Sequence, residues 1–439
     1  MRNKNEAERS EGVLLAVAAE RRLVRPEGCM RHIDVAITAQ GSIEEDRRPP
    51  LAIALVIDRS GSMEGAKLRT AKEAALSVLE RLGPKDVASV TVFDSEVETI
   101  LGEGEMTPER KAQSRSLIAD VQARAQTALH EGWLTGCRTV AADSARTADA
   151  GRLARCFLLT DGLANVGLTD PEAIAEQAAG IRRNAGVSTS AFGIGDDYDE
   201  GLLAPMTVAG GGQFHHLREE ADMAATFSGE LGEMFQVTAR AVRLEITADP
   251  VATPEVISMY WGTAGTSTGT MRIDLGDLIS AEERHVVVRV RFGGVPAGAL
   301  VPVRVRVVWR DGEKEIEGSW QEVAFEGADN AMCSSEPRFM PVMHWVGLHH
   351  AEKTRARALA LFRTGDVDGA VRALEAVTRR IREYAGNDHD LVRALEALEE
   401  LRRTFVERRM TLGLAKEVLY SSHLGSRMQR DHRHPHQGT

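Results

Sequence analysis

Three oxygen-bearing side chains alternate along one short segment, where Asp58, Ser60 and Ser62 directly follow the apolar run 51–57. A carboxylate and two hydroxyls at alternate positions of a strand-to-helix loop can converge on one point, and Gly61 permits the tight turn between the serines. Ligand sets made only of oxygen suit a hard divalent cation. The simpler interpretation is that Asp58 caps the following helix while the serines bond backbone groups of the loop. The segment therefore predicts either a metal site or a helix cap.

The elements that would position this loop alternate between apolar strands and amphipathic helices, which is typical of a mainly parallel sheet covered on both faces. We place this α/β domain at residues 51–236, with candidate strands 51–57, 87–93, 153–159, 187–194 and 213–216. The helix after the first strand shows a buried face at Leu68, Ala71, Ala75, Val78, Leu79 and Leu82. Two later helices should begin at Pro108 and Pro171, because each proline follows a capping side chain and precedes a glutamate.

On both sides of this domain, apolar residues recur with the period of two that is expected of β-strands. Candidate strands after the domain are 242–247, 284–292, 301–309 and 321–325, and those before it are 12–24 and 32–38. Because residues 1–50 are too few to bury a core alone, we expect them to join residues 237–330 in one antiparallel β-sandwich. The predicted fold is therefore a doubly wound, mainly parallel α/β domain inserted into a β-sandwich.

A C-terminal helical region completes the predicted architecture. Residues 335–422 are rich in Ala, Leu, Arg and Glu, with an interruption at Gly386-Asn387-Asp388. The segment 351–430 holds 16 Lys and Arg against 12 Asp and Glu, whereas the whole chain has a net charge of -11. This basic excess indicates either a solvated helical face, which is the simpler interpretation, or contacts within the chain or with a partner. Residues 423–439, which contain several histidines among Arg, Pro and Gly, are expected to form a disordered tail.

The segment Asp58-Arg59-Ser60-Gly61-Ser62, placed after an apolar strand, resembles the metal-ion-dependent adhesion site of von Willebrand factor type A (VWA) domains. The resemblance covers roughly residues 50–236 and includes the late segments 191–195 and 209–214. It implies a Rossmann-like fold and a site that is completed by an aspartate and a threonine from two further loops. The flanking β and helical regions look similar to those of bacterial relatives of inter-alpha-trypsin inhibitor heavy chains.

Both of the further ligands implied by the resemblance have candidates in this chain. The aspartate is Asp161, which lies at the end of the strand candidate 153–159. The threonine is Thr127, in a loop between two helical segments, and Thr135 and Thr139 are the alternatives because Gln126 is atypical before this threonine.

Charge counting defines what such a site would hold. Two aspartates balance one divalent cation, while the serines and the threonine add only neutral oxygens. We therefore predict Mg²⁺, or else Mn²⁺ or Ca²⁺, as the ion at Asp58, Ser60, Ser62, Thr127 and Asp161. The resemblance further implies that the ion accepts an Asp or Glu carboxylate from a partner protein.

The predicted function is a metal-dependent protein–protein interaction, without catalysis. The resemblance also implies an alternative, an adaptor subunit of an AAA+ ATPase of the MoxR or chelatase type. Because residues 61–67 lack the spacing of a phosphate-binding loop, that ATPase would be a separate polypeptide. A metal-dependent hydrolase is less favoured, because the sequence positions neither a second metal nor a general base. Residues 265–269 match a hydrolase nucleophile motif but lack its strand and helix, and His215-His216 and His349-His350 match no metal-ligand spacing.

Composition and charge exclude several classes of protein. With 43% hydrophobic residues and an acidic balance, neither a disordered chain nor a generically basic nucleic-acid binder is expected. Four separated cysteines without a CxxC pair predict neither a disulfide framework nor a structural zinc site. The longest apolar runs hold about seven residues, short of the roughly 20 that span a bilayer. Glutamates offset the basic residues near the N-terminus, so residues 12–19 predict a strand rather than a secretory signal, and we expect a cytoplasmic protein.

Overall fold

The computed structural model describes residues 12–40, 48–124, 126–146, 152–162, 166–195, 198–217, 220–258, 260–263, 270–311, 314–407 and 409–427. The nucleophile-like segment 265–269 and His432, His434 and His436 of the expected tail lie outside these residues. The chain divides into two units, residues 43–237 and the flanking parts 1–42 with 238–429.

Strands and helices alternate in the first unit and segregate in the second. The strands in the described ranges are β1 Val13–Ala19, β2 Leu23–Val24, β3 Cys29–Ala39, β4 Leu51–Asp58, β5 Val87–Phe93, β6 Val97–Leu101, β7 Leu153–Thr160, β8 Val187–Ile194, β9 Gly211–Leu217, β10 Val237–Ala248, β11 Ala252–Val256, β12 Trp261–Thr263, β13 Thr270–Ile279, β14 Glu283–Phe292, β15 Leu300–Asp311, β16 Lys314–Glu317 and β17 Gln321–Gly327. The helices there are α1 Ala66–Arg81, α2 Pro108–Ala119, α3 Leu129–Arg146, α4 Pro171–Ala185, α5 Glu200–Gly210, α6 Glu220–Met234, α7 Asn330–Ser335, α8 Met340–Arg363, α9 Val367–Ala385, α10 His389–Val406 and α11 Leu412–Arg427.

The unit formed by residues 43–237 is built around one sheet with the strand order β6-β5-β4-β7-β8-β9. All neighbouring strands pair in parallel except β5 and β6. Strands β4, β7 and β8 are buried along their whole length, as expected of strands covered on both faces. The predicted α/β fold class is confirmed. Edge strand β6 was missed in the sequence analysis, because its exposed Glu98 and Thr99 interrupt the apolar pattern.

The β part of the other unit consists of two sheets, with strand orders β1-β3-β14-β11 and β12-β13-β10-β15-β17-β2, and β16 pairs with β15. Strand β3 pairs antiparallel with both β1 and β14, although β14 lies far along the chain. Alternate residues of β3 and β14 enter a core that is shared with the second sheet. Strand β3 contributes Ile33, Val35 and Ile37, β14 contributes Val286, Val288 and Val290, and the second sheet contributes Leu244, Val305 and Phe325. Segments that lie on both sides of the α/β unit in the sequence therefore build one core.

The helical part of this unit continues further than the sequence analysis expected. Helices α9 and α10 are separated at residues 386–388, where an interruption was predicted. Helix α11 extends to Arg427, so its last turn occupies the beginning of the segment 423–439 that was expected to be disordered. Ala415 and Leu419 of α11 are buried in the same cluster as Ala358 and Leu359 of α8, and this packing keeps the segment helical.

A fully buried polar network lies inside the α/β unit. Glu230 of α6 has no exposed surface and accepts hydrogen bonds from Arg155 Nη1 at 2.5 Å and Ser190 Oγ at 2.7 Å. His215 Nε2 lies 2.8 Å from the other carboxylate oxygen of Glu230, and its ring stacks on Phe192 with centroids 4.7 Å apart. The carboxylate thus links helix α6 to strands β7, β8 and β9.

Histidines line the contact between helix α8 and the sheet that contains β3 and β14. His349 Nε2 donates to the carbonyl oxygen of His285 at 3.1 Å, and the ring of His350 lies edge-on to His32 at 6.1 Å. Burial lowers the pKa of His349 to about 4. Burial also lowers the pKa of His350, to about 3, with a further contribution from Arg380. Both rings are therefore neutral in the folded protein at neutral pH.

Acid should destabilise this unit through His349 and His350. The unfolded chain takes up these protons near the ordinary histidine pKa of 6.5, whereas the folded protein resists until about pH 4 and pH 3. Stability is therefore fully present above pH 6.5 and falls as the pH drops below it, by up to about 1.4 kcal/mol per pH unit for each histidine. Urea unfolding at a series of pH values measures this slope. A His349→Gln/His350→Gln variant should show a shallower slope, and a His130→Gln control should not; equal slopes in all three proteins would contradict the assignment.

Candidate metal-binding site

Neighbouring parallel strands bring the two predicted aspartates together. Asp58 is the last residue of β4, and Asp161 directly follows β7, which pairs with β4 in parallel. Both aspartates have no exposed surface. The carboxylate of Asp58 accepts hydrogen bonds from Ser60 N at 2.8 Å and from Thr160 Oγ1 at 2.6 Å. The site therefore lies beyond the carboxyl ends of the strands, where open α/β sheets bind ligands.

Ser62 links the loop after β4 to Asp161, and Ser60 lies next to Ser62. Ser62 Oγ donates to Asp161 Oδ1 at 2.7 Å, and the hydroxyls of Ser60 and Ser62 are 3.1 Å apart. Helix α1 begins later, at Ala66, and its first turn receives no side-chain capping bond. The alternative interpretation, in which Asp58 caps this helix, is therefore wrong.

Thr127 lies in the loop before α3 and is also part of this group. A carbon atom added at Gly162 Cα would be 3.2 Å from Thr127 Oγ1 and 3.5 Å from Asp58 Oδ2, so both oxygens face the same small space. The alternatives Thr135 and Thr139 lie inside α3, where the Thr139 hydroxyl donates to the Thr135 carbonyl at 2.9 Å. The structure thus groups the five predicted residues, and their binding of a metal stays a prediction.

Burial dominates the electrostatics of Asp58. Loss of solvent raises its pKa to about 6, the negative charge of Asp161 adds to this effect, and the hydrogen bonds from Thr160 and Ser60 oppose it. A divalent cation would relieve this unfavourable charge. Because the group offers only carboxylate and hydroxyl oxygens, it fits a hard ion such as Mg²⁺ better than a soft one.

The structure adds three functional candidates that the sequence analysis missed. Thr160 donates to Asp58, Lys67 Nζ lies 2.5 Å from Asp161 Oδ2, and Asp94 holds the loops around the site. Thr160 is the last residue of β7, Asp94 directly follows β5, and Lys67 lies in the first turn of α1. The position of Thr160 directly before Asp161 was the available signal for that residue.

Asp94 connects the loop of Asp58 with the loop of Thr127. Its buried carboxylate accepts hydrogen bonds from Arg59 Nε and from Arg124 Nε, both at 2.7 Å. Its carbonyl oxygen accepts from Ala128 N at 2.7 Å, and Arg124 N donates to the Arg59 carbonyl at 2.8 Å. Burial by itself would raise the pKa of Asp94, but the bonds from Arg124, the Glu96 backbone and Arg59 outweigh it and lower the pKa. The carboxylate therefore stays ionised and fixes both loops.

Replacing Asp94 with asparagine should weaken metal binding without removing a ligand. Arg59 and Arg124 would lose their shared charged partner, and the loops that carry Ser60 and Thr127 would lose their fixed spacing. We expect the affinity for Mg²⁺ to fall by about 10 to 100-fold, the range typical of groups that orient metal ligands. Isothermal titration calorimetry measures the change. Glu96→Gln, which affects only the exposed bond to Arg124 Nη2, is the matched control, and unchanged affinity in Asp94→Asn would refute this role.

Comparisons with known proteins agree with the fold of this unit. The von Willebrand factor type A domain family matches residues 52–228. The solved structure of a von Willebrand factor type A protein from Catenulispora acidiphila superposes with a TM-score of 0.72 at 18% identity, covering 95% of this chain and 99% of the other. The ArnB paralog VWA2 from Sulfolobus acidocaldarius gives a TM-score of 0.62 at 16% identity, with the same coverage. At these identities the structural likeness concerns the fold.

Sequence relatives support the same class. The uncharacterized protein sll0103 of Synechocystis sp. is 26% identical over 292 residues, which cover 64% of this chain and 66% of the relative. Human inter-alpha-trypsin inhibitor heavy chain H4 is 27% identical over 208 residues, 46% of this chain, and the match spans only 22% of that protein.

Residues 52–228 therefore match the VWA domain family, and this region is similar to inter-alpha-trypsin inhibitor heavy chains. Domains of this type typically mediate protein–protein interactions. Among the described residues, none of the helices is both long and apolar enough to cross a membrane.

Proposed function

We propose that this protein binds an acidic segment of another protein through a divalent cation held by Asp58, Ser60, Ser62, Thr127 and Asp161. The observation that supports this function most strongly is the convergence of two fully buried carboxylates with hydroxyls from two loops. A bound Mg²⁺, or else Mn²⁺ or Ca²⁺, would offer a coordination position to a carboxylate oxygen of the partner.

The buried and the exposed residues of the site would have different roles in this binding. Asp58 and Asp161 supply the negative charge from the interior, whereas Gly61 and Ser62 are exposed and leave the site open to solvent. A partner can therefore approach from the side of this loop. Its own side chain would complete the coordination that the chain leaves open.

The proposal includes no catalytic step. The hydroxyls of Ser62 and Thr160 donate to Asp161 and Asp58, the carboxylates that this proposal assigns to the metal. Within the described ranges, the partners of Asp58 and Asp161 are serine, threonine and lysine, and no histidine hydrogen-bonds to either carboxylate.

Affinity capture from a cell extract tests this function. The wild-type protein should retain a partner in Mg²⁺ and release it in EDTA, and Asp161→Ala should retain none. Asp170→Asn, which changes an exposed helix cap of the same unit, is the matched control. Capture of an ATPase would identify the adaptor alternative, and an identical captured set in Mg²⁺ and in EDTA would refute metal dependence.

A further inference from the structure

Lys67 brings a positive charge directly to one of the buried carboxylates. Its Nζ lies 2.5 Å from Asp161 Oδ2, and 30% of its side chain is exposed, while the side chain of Asp161 is fully buried. A carbon atom added at Gly195 Cα would be 3.7 Å from the same Nζ. The ammonium therefore lies at the rim of the site, between a buried ligand candidate and solvent.

The placement of Lys67 is unfavourable for the helix that carries it. Lys67 belongs to the first turn of α1, where the helix dipole disfavours a cation and favours an anion. This turn holds no acidic residue and receives no side-chain capping bond that could compensate. The ion pair with Asp161 offsets this cost, so the lysine is held in place by the site rather than by its helix.

We propose that Lys67 sets the charge of the site so that a divalent cation and a partner carboxylate bind as a pair. This inference rests on the function proposed above. Asp58, Asp161 and Lys67 together leave one net negative charge in the metal-free site. A divalent cation changes this to one net positive charge, which a single carboxylate neutralises.

The charge balance has opposite consequences for the two ligands. Lys67 repels the cation and competes with it for Asp161, so it weakens binding of the metal alone. The same ammonium attracts an incoming carboxylate, so it strengthens binding of an acidic group to the loaded site. Because coupling between two ligands is reciprocal, a carboxylate should raise the metal affinity, and this effect should depend on Lys67.

Calorimetric titration with Mn²⁺, in sodium acetate and in sodium chloride of equal ionic strength, tests the proposal. The Lys67→Met variant should bind Mn²⁺ about tenfold more tightly than wild type in chloride. Acetate should increase the affinity of wild type and have a clearly smaller effect on the variant. Lys67→Arg keeps the charge and should behave like wild type. Lys72→Met is the matched control, because Lys72 lies on the same helix and donates to the Ala119 carbonyl.

The outcomes separate this inference from the proposed function. Weaker or unchanged Mn²⁺ binding by Lys67→Met, alongside normal binding by wild type, overturns the role of Lys67 and leaves the metal site intact. An equal effect of acetate on wild type and Lys67→Met also overturns it. A wild-type protein that binds no Mn²⁺ overturns both proposals. Thermal unfolding in EDTA checks that Lys67→Met is folded, and Lys67→Gln provides a second neutral variant if it is not.

Discussion

The Asp58→Asn variant is expected to lose metal binding and, at the same time, to become more stable than the wild type when no metal is present. The side chain is fully buried, and burial raises its pKa from 3.8 to about 6, so ionisation costs the metal-free fold up to about 3 kcal/mol near pH 7. Asparagine removes the charge and one ligand oxygen together. We expect the affinity for Mg²⁺ to fall by more than about 100-fold, beyond the effect of residues that only orient ligands.

The pH dependence of this gain in stability has a defined sign. Because the pKa of Asp58 is raised in the folded state, the ionised wild type is penalised most above pH 6, and the penalty disappears as the pH falls from 6 to 3.8. Urea unfolding in EDTA should therefore show the advantage of Asp58→Asn at neutral pH and its loss in acid. Saturating Mg²⁺ should stabilise the wild type and the Asp170→Asn control but not Asp58→Asn. A variant that still responds to Mg²⁺ would refute the assignment of Asp58 as a ligand.

Replacing Glu230 with alanine should produce the largest loss of stability in the α/β unit. Arg155, Ser190 and His215 all hydrogen-bond to this one carboxylate, which has no exposed surface. Its removal leaves a buried arginine without this partner, and breaking a buried ion pair in this way costs about 3 to 5 kcal/mol. The free energy of unfolding in urea measures the loss.

A second glutamate on the same helix supplies the comparison for Glu230. Glu233 is only partly buried, and its carboxylate accepts from Gln213 Nε2 at 2.6 Å. We expect Glu233→Ala to cost about 1 kcal/mol, the value of an ordinary hydrogen bond. Similar losses in Glu230→Ala and Glu233→Ala would contradict the central role of the buried network.

The sequence was sufficient for the fold class because hydrophobic patterning dominates it. Strands such as β4 and β7 are apolar along their whole length, and the helices α2 and α4 begin at the prolines that predicted them. Strands that cover less core were not recognisable, as β6 shows with its exposed polar residues. The end of α11 was misplaced because its contacts with α8 join residues far apart in the sequence.

The candidate site could be predicted only where residues follow one another in a motif. Asp58, Ser60 and Ser62 share one segment, and Asp161 directly follows a recognisable apolar strand. The roles of Lys67 and Asp94 arise from contacts across loops, and no local pattern distinguishes these residues from other charged residues of the chain. Such partners become visible only when the sheet brings the loops together.

The pairing of β3 with β14 also constrains the order of events during synthesis. The hydrogen bond between Asp34 and His285 joins residues 251 positions apart, with the whole α/β unit between them. The ribosome must therefore complete the α/β unit before it synthesises β14. Until then, the edge of β3 that pairs with β14 has no native partner strand. An exposed strand edge is prone to pair with other chains. Early and independent folding of the α/β unit would shorten the effective loop between β3 and β14. It would therefore also shorten the interval during which nascent chains can aggregate.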